Sequence, residues 1–127
     1  MREILFRGKR LDNSEWIYGS YIKQKNNHYI SDGTLTGCRS LGNVFEVDPE
    51  TIGQYAGIDD KNGVQIFEGD ICQVDKPCVS RTGIIEFKDG SFYYKDKRSS
   101  SELYLSNLKF NNFTIEVIGN IHDNFFW

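Results

Sequence analysis

A chain of 127 residues is the size of one domain and long enough to bury a core without disulfide staples. Its 15 Lys and Arg against 18 Asp and Glu leave a net charge of -3, spread evenly, with eight basic and nine acidic residues over 1–63 and seven and nine over 64–127. That balance excludes the basic stripe or tail that tracks duplex phosphates, and apolar runs no longer than Ile4-Leu5-Phe6 or Phe125-Phe126-Trp127 exclude a membrane-spanning helix, which takes about 20 residues.

Aromatic residues reach 14%, with nine Phe, seven Tyr and two Trp, and no window sustains an apolar stripe of helical period, so the sequence predicts a mainly β protein. The start, "MREILFRGKR", has no apolar centre for an export signal, and three cysteines fit no disulfide framework, which sets the expectation of a reducing cytosol. Strands are predicted over residues 4–7, 16–23, 28–30 and 44–47. The second, in "EWIYGSYIK", places Trp16, Tyr18, Ser20 and Ile22 on one side and Ile17, Gly19, Tyr21 and Lys23 on the other. Aromatics on both faces suit a strand between two layers or one that meets another chain. Trp16, Tyr18 and Tyr21 are therefore candidate oligomer contacts, joined by Phe125, Phe126 and Trp127 at the far end, where folding back onto their own C-terminal barrel is the competing reading.

Further strands are predicted over 52–55, 65–67 and 71–74, linked by "GQYAGIDDKNGVQIFEGDI". A calcium loop fails the residue count there: with Gly63 at position 6, Asp60 and Asn62 fall at 3 and 5, but Ile58 occupies position 1 and Gly69 position 12. Neither phosphate-loop nor dinucleotide strings occur. The stretch reads as a tight Asn62-Gly63 turn and a bend at Gly69-Asp70, with Asp70 accepting backbone N–H groups and Asp59-Asp60 solvated beside Lys61. Cys72 and Cys78 flank Pro77 without zinc-ligand spacing, and only His28 and His122 supply imidazoles. A Cys38–His28 nucleophilic pair lacks any local signature. No catalytic, cofactor or metal set is assigned.

After a loop over 76–81, "GIIEFKDGSFYYK" gives the sharpest signal, strands 83–88 and 91–95 around a two-residue Asp89-Gly90 turn. The register follows: Lys88 opposite Ser91, Phe87 opposite Phe92, Glu86 opposite Tyr93 and Ile85 opposite Tyr94, with Ile85, Phe87, Phe92 and Tyr94 on the core face. Residues 95–102 read as an exposed polar loop, and the last strands fall at 103–108 and 113–118. Tyr93, Lys95, Lys97 and Arg98 form a candidate nucleic-acid or partner surface, since aromatics beside cations suit single strands, although the net charge disfavours nucleic acid.

"REILFRGKRLDNSEWIYGSYI", "VDPETIGQYAGIDDKNGVQIFEGDI", "GIIEFKDGSF" and "EVIGNIHDNF", in that order across nearly the whole chain, resemble the YopX family of small proteins encoded by bacteriophages and prophages. The resemblance implies a mainly β protein of phage origin that works in the bacterial cytoplasm, self-associates and has no established catalytic residue to transfer. It also implies that residues 48–55, 57–63, 68–71 and 117–124 form a shared surface or framework. The architecture expected is a single domain, with an N-terminal β layer of residues 1–63 packed on a small SH3-like C-terminal barrel of residues 64–127. The function expected is that of a non-enzymatic phage accessory protein, a binding module forming a homo-oligomer, with a host or phage protein as a further partner. The alternatives are a nucleic-acid-binding β-barrel protein, an inhibitor of a host factor, or a sequesterer of a small anionic signal.

Overall fold

The computed structural model describes residues 4–32, 43–99, 101–105, 108 and 113–123, and the chain divides into two compact units, Met1–Tyr55 and Ala56–Trp127. In the first unit, β1 (Phe6–Lys9), β2 (Trp16–Gln24), β3 (Asn27–Ser31), β4 (Val44–Glu46) and the start of β5 (Gly53–Asp59) lie antiparallel in the order β4-β3-β2-β1-β5. Alternation along β2 sends Ile17 and Tyr21 to one face, where Ile17, Ile30 and Val47 are buried and Phe6, Tyr21, Phe45 and Ile52 close around them. Gly8 keeps this core tight, because a Cβ there would meet the Val47 side chain at 3.1 to 3.3 Å. Asp48 caps the short 3-10 turn Pro49–Thr51 by accepting the Glu50 N–H at 3.0 Å. Thr51 then accepts the Lys9 N–H at 2.8 Å and fastens that turn to β1.

The second unit holds the rest of β5, β6 (Gln65–Phe67), β7 (Asp70–Lys76), β8 (Val79–Lys88), β9 (Ser91–Asp96), β10 (Glu102–Tyr104) and β11 (Thr114–Asn120). Five of these form an antiparallel sheet in the order β10-β9-β8-β7-β11. Asp89 at φ 51° and Gly90 at φ 79° make the predicted turn. All four predicted pairs are present, and Phe87 meets Phe92 edge to face at 4.8 Å. Ile66, Cys72, Val74, Ile85 and Tyr94 fill the core beneath this sheet with Leu105, Leu108 and Ile115.

Several expectations need correction. The loop expected over 76–81 is a hairpin: Lys76 pairs with Val79 and Val74 with Arg81 around a Pro77-Cys78 turn, Cys78 taking φ 70° after a proline whose ring presets the preceding φ. Polar residues at a solvated sheet end had the look of a loop. The strand over 52–55 continues to Asp59, while the one over 103–108 stops at Tyr104, after which Leu105 and Leu108 are helical and buried. The SH3-like barrel is not closed. β10 pairs only with β9 and β11 only with β7, so both stand at edges among the described residues. The outer edge of β11 is taken instead by the turn after β5: the Lys61 N–H donates to the Ile115 carbonyl at 2.9 Å and the Val117 N–H to Asp60 Oδ2 at 3.0 Å.

Asp60 is accordingly not the solvated carboxylate expected. It is 6% exposed and also accepts the N–H groups of Asn62 and Val64, each at 2.8 Å. Burial pushes its pKa up, and the three backbone N–H bonds more than offset this, holding it below the usual Asp value. Asp70 does take the structural role expected, accepting the Phe67 N–H at 2.8 Å while Gly69 turns through φ 91°. Among the described residues, no helix is long and apolar enough to cross a membrane.

Candidate functional site

At one end of the second unit's sheet, the β7–β8 hairpin and the turn following β9 enclose an open cleft of about 760 Å³. Cys78, Val79, Ser80, Arg81 and Thr82 line it from the hairpin, and Asp96, Lys97, Arg98 and Ser99 from the turn. The turn forms because Asp96, 7% exposed, accepts the N–H groups of Arg98 at 2.8 Å and Ser99 at 3.1 Å. The Lys97 N–H donates to the Thr82 carbonyl at 2.9 Å and anchors the turn to β8. The Ser99 N–H does most to lower the Asp96 pKa, burial works against it, and the Arg98 N–H and the Arg81 charge add to the lowering. Arg81 Nη1 stands 3.9 Å from Asp96 Oδ2, too far for a charge-assisted hydrogen bond, which leaves the guanidinium fork available to another acceptor.

Below this end of the sheet, the Tyr94 ring lies over Gly83, where a Cβ would come within 2.6 Å of it. Its hydroxyl is buried and finds no hydrogen-bond partner among the described residues. Desolvation, followed by the Asp96 charge, drives the phenol pKa well above its ordinary value.

The predicted surface divides between two places. Lys97 and Arg98 line the cleft. Tyr93 and Lys95 project from the opposite face of the sheet, where Lys95 faces Glu102 across the β9–β10 pair and Lys88 forms an ion pair with the same Glu102. There Tyr93 stacks on Tyr104 at 4.9 Å, and its pKa is raised first by the hydrogen bond to the Tyr104 hydroxyl and then by burial. Arg81 and Tyr104 are the two residues that sequence reasoning missed. A signal for Arg81 was present: continuing the Asp89-Gly90 register down the hairpin sets residue 83 against 96, as observed, and 81 level with 98.

Of the candidate oligomer contacts, Trp16 receives the Arg7 guanidinium at 4.6 Å and the Lys9 ammonium at 5.5 Å from its ring centre, and Tyr18 is 46% exposed. Tyr21 turns to the other face, stacked on His28 at 5.9 Å, with its hydroxyl 2.6 Å from His28 Nδ1. Phe125, Phe126 and Trp127 lie outside the described residues, as does Cys38. Cys72 is buried in the core and Cys78 is exposed at the cleft. Among the described residues, no group of three His, Cys, Asp or Glu could hold a metal ion.

Within the second unit, residues from two of the strings that carry the family resemblance bond to one another away from the cleft. Asp60 reaches β11, the Gly69 carbonyl accepts the Ile121 N–H at 2.9 Å, and Asn120 Oδ1 accepts the N–H groups of His122 at 3.0 Å and Asp123 at 2.9 Å. These are framework bonds, and the cations of the cleft fall outside those strings. No curated protein matches the chain. The family model described as YopX protein matches residues 5–125, nearly the whole length and both units, so this chain belongs to the YopX family.

Proposed function

We propose that this YopX-family protein is a non-enzymatic binding module of phage or prophage origin, working in the bacterial cytoplasm as a homo-oligomer and taking an anionic partner into the cleft at the end of its second sheet. One observation carries the reading: Arg81 of β8, and Lys97 and Arg98 of the turn after β9, line one open volume that holds a single carboxylate. Guanidinium and ammonium groups only donate, which is the chemistry of holding an anion. The partner can be an acidic segment of a host or phage protein, or a small anionic signal held away from its receptor.

Native mass spectrometry of the protein recovered from phage-infected cells tests both halves of the proposal. The expected result is an oligomer carrying an acidic partner or a bound anion that is lost on Arg81→Gln with Arg98→Gln. A monomer recovered empty at every concentration would overturn it. A second reading, single-stranded nucleic acid, is favoured by the stacked Tyr93 and Tyr104. It predicts salt-sensitive binding that falls when Lys95, Lys97 and Arg98 are neutralised, and absence of binding at low salt removes it.

A further inference from the structure

One wall of the cleft is a strand edge. β8 runs from Val79 to Lys88, but its pairing with β9 stops at Gly83 opposite Asp96, so the first residues of β8 overhang the end of β9. β7 covers one flank of that overhang, pairing Lys76 with Val79, Asp75 with Ser80 and Val74 with Arg81. On the other flank the Thr82 carbonyl takes the Lys97 N–H, and beyond it the chain turns away. Successive residues of a strand aim their backbone groups at opposite flanks. The N–H and C=O of Ser80, two residues from Thr82, therefore point the same way as the Thr82 carbonyl, toward the cleft that Ser80 lines. No described strand pairs with Ser80 on that flank.

The side chains around this edge define what it can hold. Ser80 Oγ is bonded to Gln73 at 3.2 Å and to Asp75, Ser99 Oγ to Ser101 at 2.9 Å and to Asp96, and Lys97 has an interaction of its own. The donors left for a ligand are the two guanidinium groups. Arg81 Nη1 is 3.9 Å from Asp96 Oδ2, beyond hydrogen-bond length, and Arg98 makes no ion pair or side-chain hydrogen bond among the described residues. Two guanidinium groups against the one carboxylate of Asp96 leave a single positive charge, which one further carboxylate balances. Val79, 41% exposed, lies two residues before Arg81 and so on the same side of the strand.

We propose that the overhang of β8 docks an extended segment of a partner protein, laid antiparallel to β8 where β9 has ended. Ser80 supplies the main-chain bonds, and one acidic side chain is held by Arg81 and Arg98. The proposal rests on the anionic-partner reading above and commits it to a polypeptide. Cross-strand neighbours share a face, so an acid opposite Arg81 sets the residue two places later opposite Val79, where an apolar side chain fits. A nucleic-acid strand has no amides to exchange with Ser80, and a small carboxylate leaves both of its backbone groups unmatched.

Isothermal titration of the full chain tests this with five ligands: acetyl-Ser-Glu-Ser-Val-Ser-amide, its glutamine counterpart, the same peptide N-methylated at the central serine, a blocked hexaglutamate and a 15-nucleotide oligo-dT. The first peptide should bind, and the glutamine and N-methylated forms should each be weaker by about tenfold or more. Arg81→Gln and Arg98→Gln should each weaken the first peptide by about tenfold, while Lys23→Gln, the same charge change in the first unit, leaves it unchanged. Equal binding of the glutamine or N-methylated peptide would overturn the proposal, as would tighter binding of the oligonucleotide or hexaglutamate binding more than about tenfold tighter. Hexaglutamate binding that is lost in the two arginine variants, with no binding of the first peptide, would overturn strand docking and leave the anionic-partner reading standing. Absence of all binding, or insensitivity of every ligand to those variants, would overturn both. Both arginines are exposed, so an unchanged melting temperature certifies that the variants fold.

Discussion

Asp60 and Tyr94 show opposite uses of burial. Asp60 has three N–H donors in a site nearly closed to water, so Asp60→Ala leaves buried donors unmet and should cost about 3 kcal/mol in urea unfolding. Because its folded pKa lies below its unfolded one, its contribution is complete above the unfolded value of about 3.9 and is lost as pH falls through the folded value. The wild type should therefore lose stability on acidification below about pH 4, and an Asp60→Asn series should flatten that slope. Tyr94 carries a hydroxyl with no partner. Tyr94→Phe keeps the ring over Gly83 and removes the orphan, and should raise stability by about 1 kcal/mol in the same measurement. Neither role was legible in the sequence. Asp60 sits in a polar Asp-Asp-Lys-Asn-Gly string that reads as solvated, and its deciding donor, Val117, is 57 residues away. Asp70 was legible because its bond to Phe67 spans only three residues.

Between elements, the Asp89-Gly90 turn sets everything from the Phe87–Phe92 contact to the meeting of the two turns at the cleft. Gly90→Val puts a β-branched residue at φ 79° with no steric obstacle nearby, so any loss isolates backbone strain, expected at about 1–2 kcal/mol by chemical denaturation. This turn was readable because two residue types select one turn and the turn selects the register. The Pro77-Cys78 hairpin was not, since no residue there demands positive φ, and its polar arms looked like loop. The same misreading hid Arg81 and with it one of the cleft's three cations. Barrel closure failed as an expectation for a related reason: local pattern identifies strands but does not say that the last strand's free edge will be filled by a side chain and a loop. That filling also protects the edge, because the carbonyl of Ile115 and the N–H of Val117 are already bonded.

Across the molecule, an acidic chain confines three of its 15 basic residues to one cleft. Oligonucleotide binding through that cleft alone would show a log-affinity against log-salt slope of about -2, from three contacts at roughly 0.7 each for a single strand. A slope of -5 or steeper in a salt titration would place cations beyond the cleft in the contact. Long-range order also fixes when the second unit can be finished. β7 pairs with β8 on one side and with β11 on the other, with residues 77–113 between β7 and β11. During synthesis, β8 can dock on β7 and β9 on β8 as they are made, but the opposite flank of β7 stays bare until residues 114–120 have left the ribosome. A stalled or truncated translation product would present that flank to any neighbouring nascent chain, so co-translational aggregation should begin there and should fade once β11 has been added.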